Sequence, residues 1–254
     1  MKRHTLVGIG VLAGVMSALF GVGGGAVVVP ALVAWCGRDH RQAVATSFLA
    51  IGPLSLAAMV GYAVHGQVDV LVAAPLIAGL MAGAWIGTHL LTRLSQGVLR
   101  WIFALFALAV AVRMAFGTTI AQGEAVHGWR LLWLVPAAVA IGVLAALTGV
   151  GGGAAMVPLM QLGYGLSAVL AKGTSLLAIL PTSALGSWRN LRNGLGSMSE
   201  ALWIGCSGML AALATSQLSV RLPQTVADRL FAAFLVFVAV RTVWGSVKAS
   251  APAR

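Results

Sequence analysis

The chain has 254 residues, 60% of them hydrophobic and 8% charged, with 32 glycines and a formal net charge of +11. Soluble domains carry about 25% charged residues, so this composition excludes a soluble domain and describes an all-α, polytopic integral membrane protein. The basic residues are scattered over loops and helix ends rather than clustered with stacking aromatics, which argues against a nucleic-acid partner and fits a positive-inside bias against a lipid bilayer.

Met1-Lys2-Arg3 before an apolar run resembles a signal peptide. The stretch from Gly14 to Pro30 recurs from Gly142 to Pro158, however, so the segment is expected to belong to the fold. The first apolar run, about 5–36, is interrupted at Gly21-Val22-Gly23-Gly24-Gly25-Ala26 and followed by Val29-Pro30. Glycine costs a helix roughly 1 kcal/mol per residue relative to alanine, so four glycines in five positions break it. Inside a bilayer the freed backbone groups are tolerated only where they are buried in protein or line a cavity.

A second segment, about 42–63, carries Thr46, Ser47 and a hinge candidate at Pro53. A third spans about 68–92 and a fourth about 97–117. The linker, 118–129, has turn and loop chemistry. The pattern then returns at about 130–163, 167–189, 197–219 and 225–246, before a tail at 247–254. The register of the return is constant. Gly21 to Ala26 matches Gly149 to Ala154, Thr46-Ser47 matches Thr174-Ser175, Pro53 matches Pro181, and Arg93-Leu94 matches Arg221-Leu222, always 128 residues on. Two tandem homologous repeats are expected, 1–117 and 130–246.

The first run of each repeat can be one long broken span or a re-entrant hairpin with the glycines at its tip. The hairpin leaves three further crossings per half, which inverts the repeats. With a cytoplasmic N-terminus it places about ten basic residues inside and five outside, against about eight and seven for four spans. The inverted arrangement is therefore favoured. In the third segment Gly79, Gly83 and Gly87 are spaced by four, a face for close helix packing rather than for a dimer.

Gly21 to Ala26 also satisfies G-x-G-x-x-A. A dinucleotide site needs a preceding strand and an acidic residue about 20 positions on, where this chain has Arg41. No nucleotide or other cofactor is expected. Cys36 and Cys206 have Tyr164 and Ala78 as counterparts and read as free thiols, not as a disulfide or metal site. Asp39, Asp69, Glu124, Glu200 and Asp228 all fall near loops or ends, and no catalytic set appears, so no enzyme is expected.

The chemistry expected of the breaks is anion binding. A helix restarting near Ala26 presents unpaired N–H groups and the positive end of its dipole. The candidate substrate ligands are Gly23, Gly24, Gly25 and Ala26, and Gly151, Gly152, Gly153 and Ala154. The hydroxyls of Thr46, Ser47, Thr174 and Ser175 can donate to an oxyanion, or bond back to their own helices. Lys172 can attract anions, although snorkelling to the interface is favoured. His65, with Asn193 as its counterpart, reads mainly as a loop turn and is an accessory candidate.

The Gly21-x-Gly23-Gly24-Gly25 motif with Val29-Pro30, the Ala45-Thr46-Ser47 and Gly173-Thr174-Ser175 triplets, His65-Gly66 and the Gly79/Gly83/Gly87 ladder together resemble the TauE/SafE sulfite-exporter family, over essentially the whole chain. The resemblance implies a permease of the bacterial inner membrane for sulfite, sulfoacetate or a related sulfur-containing anion, with the site on the glycine motifs and nearby hydroxyls. The chain departs from its own first half where His65 and Asp69 become Asn193 and Ser197. A carrier of another small anion such as a carboxylate, and a non-transporting membrane assembly or sensor subunit, are the competing readings. A homo-oligomer is compatible with all three.

Overall fold

The computed structural model describes residues 3–95 and 128–223, with isolated positions from 98 to 112 and from 225 to 236. The fourth segments, most of the linker and the tail therefore lie outside the described residues. The described elements are helical. In order they are α1 (Arg3–Phe20), α2 (Gly25–Cys36), α3 (His40–Ala63), α4 (Val70–Arg93), α5 (Leu134–Thr148), α6 (Gly153–Pro158), α7 (Ala168–Arg192) and α8 (Met198–Ser219). A 3₁₀ turn at Gly128–Trp133 leads into α5, and a π turn at Leu159–Gly163 continues α6. Six stretches among the described residues are long and apolar enough to cross a membrane: α1, α3, α4, Leu131–Thr148, α7 and α8.

Helix boundaries follow local chemistry. Asp69 accepts from the Val72 N–H at 3.1 Å, Ser167 from Leu170 at 3.3 Å and Ser197 from Glu200 at 3.4 Å, each capping the helix that follows. The chain stops at Phe20 and at Thr148 because Gly21 and Gly149 take left-handed φ of 69° and 72°. There the Gly21 N–H bonds the Ser17 carbonyl and the Gly149 N–H bonds that of Ala145, both at 2.8 Å. Gly24 and Gly152, at φ 83° and 88°, then start α2 and α6. Pro53 and Pro181 lie inside α3 and α7, which run through them.

Side-chain and backbone contacts fix the helix directions. Ser207 Oγ donates to the Val7 carbonyl and Ser219 Oγ to that of Leu19, so α1 and α8 run parallel. Thr46 meets Ser197 and Gly205 faces Pro53, so α3 runs with them. Asp69 meets Thr174, and Arg189 donates to the Trp85 carbonyl, so α4 and α7 are parallel to each other. Gly79 and Gly87 pack on Ala138 and Ala146, which aligns α5 with α4. At the centre α3 and α7 are antiparallel, with Gly186 against Phe48 and Gly52 against Ser183. So α1, α3 and α8 run one way, and α4, α5 and α7 the other.

One end of the bundle gathers Arg3, whose guanidinium lies 5.4 Å over Trp203, and Arg38, which pairs with Glu200. It also holds Arg41, which donates to the Leu94 carbonyl at 2.6 Å, and Arg189 and Arg192 over Trp85 and Trp188 at 3.9 and 4.2 Å. Because Arg3 opens α1 and Arg38 follows α2, the chain enters and leaves the first break from the same end. This is the hairpin path, not a continuous broken span. The Gly79/Gly83/Gly87 face is spent within the chain, against α5. A Cβ on Gly83 would stand 2.8 Å from Gly142 Cα and from Val143 N.

Two outcomes are expected. Gly83→Val forces overpacking worth about 1–3 kcal/mol or more and should lower the yield of monodisperse protein on size-exclusion chromatography. Gly8→Val, at a position with nothing within 4 Å, should leave it unchanged. In a background lacking Cys36 and Cys206, Arg38→Cys should resist a membrane-impermeant maleimide on intact cells while Val64→Cys labels. Equal labelling of both would contradict the helix directions.

Candidate functional site

The two breaks meet at the centre of the bundle. A Cβ on Gly25 would fall on the Gly149 carbonyl and 2.8 Å from Val150 Cα. A Cβ on Gly153 would fall on the Gly21 carbonyl and 2.7 Å from Val22 Cα. Only glycine permits this approach of backbone to backbone. Ile51 and Ile179 flank both breaks, 3.1–3.6 Å from the Cβ positions of Gly23 and Gly151. Residues 21–29 and 149–154 are all buried, so the arrangement is closed to both ends.

The hydroxyls of Thr46, Ser47, Thr174 and Ser175 each reach into the opposite half of the chain. Ser47 Oγ donates to the Gly149 carbonyl at 2.6 Å, and Ser175 Oγ donates to the Gly21 carbonyl at 2.5 Å. Thr46 Oγ1 accepts from the Ser197 N–H and Thr174 Oγ1 from the Asp69 N–H, both at 3.0 Å. These are mates 128 residues apart. The carbonyls that end α1 and α5 thus find donors, and the caps of α4 and α8 are tied to the second turns of α7 and α3. A hydrogen bond of this kind contributes about 1 kcal/mol net, but an orphaned buried carbonyl costs about 1–3 kcal/mol.

The helix starts supply donors of their own. Val27 and Val28 N–H groups both bond the Gly24 carbonyl, at 3.0 and 3.1 Å. The N–H groups of Gly25 and Ala26 precede them and face out of the helix end. Gly152 repeats the pattern with Ala155 and Met156, both at 3.1 Å, ahead of Gly153 and Ala154. The second start is shorter, because α6 gives way after Pro158 to the π turn.

Lys172 departs from the snorkelling expected of it. It is 3% exposed, and its Cα and Cβ lie 2.7 and 2.9 Å from the Cβ position of Gly21. The close approach of α7 to a glycine encloses its stem. His65 and Asn193 are brought to neither break. His65 is exposed in the loop after α3, with Nδ1 2.9 Å from the Gly61 carbonyl, and Asn193 is the exposed C-cap of α7.

Three features are absent from the sequence reading. Ser17 and Ser55 hydroxyls are fully buried with no hydrogen-bond partner. Ser55 stands 128 residues before Ser183, so the repeat register carried a signal for it; Ser17 has only Ala145 as its mate. Third, Glu200 is 6% exposed and pairs with Arg38, closing one end of the interface between halves. Its carboxylate raises the Arg38 guanidinium further above its ordinary range. The mates of this pair are Leu166 and Val72, which share an apolar cluster at the other end. No group of three or more His, Cys, Asp or Glu suited to a metal occurs among the described residues.

The sequence matches the family "Sulfite exporter TauE/SafE" over residues 1–114 and 134–254. A "Probable membrane transporter protein" of Xylella fastidiosa (strain 9a5c) is 37% identical over 106 residues, a match spanning 41% of each chain. "Probable membrane transporter protein YunE" of Bacillus subtilis is 26% identical over 76% of this chain and 80% of its own. A "Probable membrane transporter protein" of Haemophilus influenzae is 25% identical over 91% of this chain and 94% of its own. No solved structure gives a significant match. A bundle of membrane-length helices with two buried, interlocked glycine breaks, matched by one family model along both halves, makes this chain a member of the TauE/SafE family of multi-pass membrane transporters.

Proposed function

We propose that the protein carries a small sulfur-containing anion, such as sulfite or sulfoacetate, across the bacterial inner membrane, and that it performs no covalent chemistry. The halves, 1–117 and 130–246, are inverted repeats, and the permeation site lies where their glycine breaks abut. The observation that carries this reading is the pair of helix starts, at Gly25-Ala26 and Gly153-Ala154, buried together at the centre of the bundle. In apolar surroundings such ends favour an anion.

In the closed arrangement Ser47 and Ser175 donate to break carbonyls rather than to substrate. Parting of the halves frees these hydroxyls, with Thr46 and Thr174 beside them, to meet the anion as the backbone carbonyls turn away. Pro53 and Pro181, each six residues beyond its serine in α3 and α7, are the hinge positions. Ends closed by unlike features, the Arg38–Glu200 pair at one and the apolar cluster that holds Leu166 and Val72 at the other, allow them to open separately.

The acidic side chains among the described residues, Asp39, Asp69 and Glu200, stand at helix starts, outside the middle of the bundle. Export is therefore proposed to be driven by the membrane potential, without a carboxylate relay. One negative charge moved outward gains about 2.3 kcal/mol per 100 mV, a concentration ratio of roughly fifty. In proteoliposomes, uptake of labelled sulfite or sulfoacetate should quicken when a valinomycin–potassium potential makes the lumen positive, with labelled acetate carried poorly. Flux that ignores the potential and follows an imposed pH gradient would contradict this coupling. Acetate flux above both sulfur anions would point to a carboxylate carrier.

A further inference from the structure

The two breaks share a backbone and differ in what surrounds them. Beside Gly21 of the first break stands Lys172, the one buried lysine or arginine among the described residues. The mate of Lys172 is Val44, and it is Val44 that stands beside Gly149, 3.0 Å from its Cβ position. Ser55 Oγ lies 3.0 Å from the Cβ position of Gly23, fully buried and without a hydrogen-bond partner. Its mate Ser183 donates to its own helix, to the Leu180 carbonyl at 2.8 Å.

Ser17 repeats the contrast. It sits one helical turn after Ala13, whose carbonyl and Cβ lie 2.9 and 3.3 Å from the Cβ position of Gly24. Its hydroxyl is also buried and unpartnered. The mate of Ser17 is Ala145, which presents a methyl group 3.5 Å from the Cβ position of Gly152. Ser17 and Ser55 are the only buried hydroxyls without a partner among the described residues, and both border the first break. The helix that starts there, α2, has 12 residues, whereas α6 has 6.

We propose that the chain holds one anion position, not two. It lies at the first break, where the N–H groups of Gly25 and Ala26 and the hydroxyls of Ser17 and Ser55 are its donors and Lys172 supplies charge nearby. This rests on reading the breaks as the permeation site and narrows it to one of them. Buried hydroxyls in native structures almost always have a partner, and an oxyanion supplies acceptors for several donors at once. Ile51 and Ile179 border the same glycine and keep the remaining sides apolar, so the ligand is a compact oxyanion with its oxygens turned toward α2. The second break is then the complementary wall, whose backbone closes over the first through Gly25 and Gly153.

The test is equilibrium dialysis of the purified full-length protein with radiolabelled sulfite, sulfate and acetate in separate arms. One site per chain is expected. Ser55→Ala and Ser17→Ala should each weaken binding about tenfold or more, the worth of a hydrogen bond to a charged group. Ser183→Ala should change it less than about twofold on the same scale. Because neither Ser17 nor Ser55 has a protein partner, their alanine variants should unfold at or above the wild-type temperature without ligand. A purely structural role would lower it. Two equal sites per chain, equal weakening by Ser183→Ala, or no binding of any of the three anions would overturn the proposal. Acetate binding with the expected serine pattern, and no sulfite binding, would uphold the site while refuting the sulfur-anion reading.

Discussion

Two carbonyl oxygens, those of Gly21 and Gly149, end apolar helices at points where a bilayer offers no water. An unpaired carbonyl in that setting is among the costliest features a membrane protein can carry. Each finds its donor in the other half of the chain, Ser175 for Gly21 and Ser47 for Gly149. Much else follows from that exchange. It draws α7 to the first break and α3 to the second, and so sets α3 and α7 across each other at the centre. It also brings Thr46 and Thr174 within reach of the N–H groups that open α8 and α4. Neither half satisfies its own break, so neither is a self-sufficient folding unit as described.

The same exchange joins structure to transport. The backbone at the breaks is glycine because two chains of carbonyls and α-carbons touch there without side chains between them. The contact is tight, yet its polar part consists of a few neutral hydrogen bonds, each worth about 1 kcal/mol net. On the proposed reading, parting of the halves exchanges these bonds for contacts to the anion, and the two carbonyls must then find other donors. A charged lock at the centre would hold the halves far harder, and among the described residues the charged pair linking the halves, Arg38 with Glu200, stands at an end with Arg38 partly exposed.

Much of this was legible in the sequence. The glycine runs are positioned by propensity alone, and the constant offset pairs Gly21 with Gly149 and Thr46-Ser47 with Thr174-Ser175, the residues that later bond across the halves. The face of Gly79, Gly83 and Gly87 announced close packing, though not that its partner would be α5. What stayed hidden was partnership. The bonds of Ser47 and Ser175 join residues 102 and 154 positions apart, and no local pattern encodes them. A lysine early in a helix reads as a snorkelling residue until the glycine packed on it is known, which is why the burial of Lys172 was not foreseen. Ser17 and Ser55 look like ordinary helical serines in sequence; only the absence of a partner sets them apart.

The central claim is that each half completes the backbone of the other. It is tested most directly by the unfolding free energies of Ser47→Ala, Ser175→Ala and the double variant in one detergent. Each single change orphans a buried carbonyl and should lower stability by about 1–3 kcal/mol. Because the two breaks touch, the double variant should depart from the sum of the singles by at least about 0.5 kcal/mol. Wild-type stability in both single variants would contradict the account, since the breaks would then be supported by something other than the opposite half.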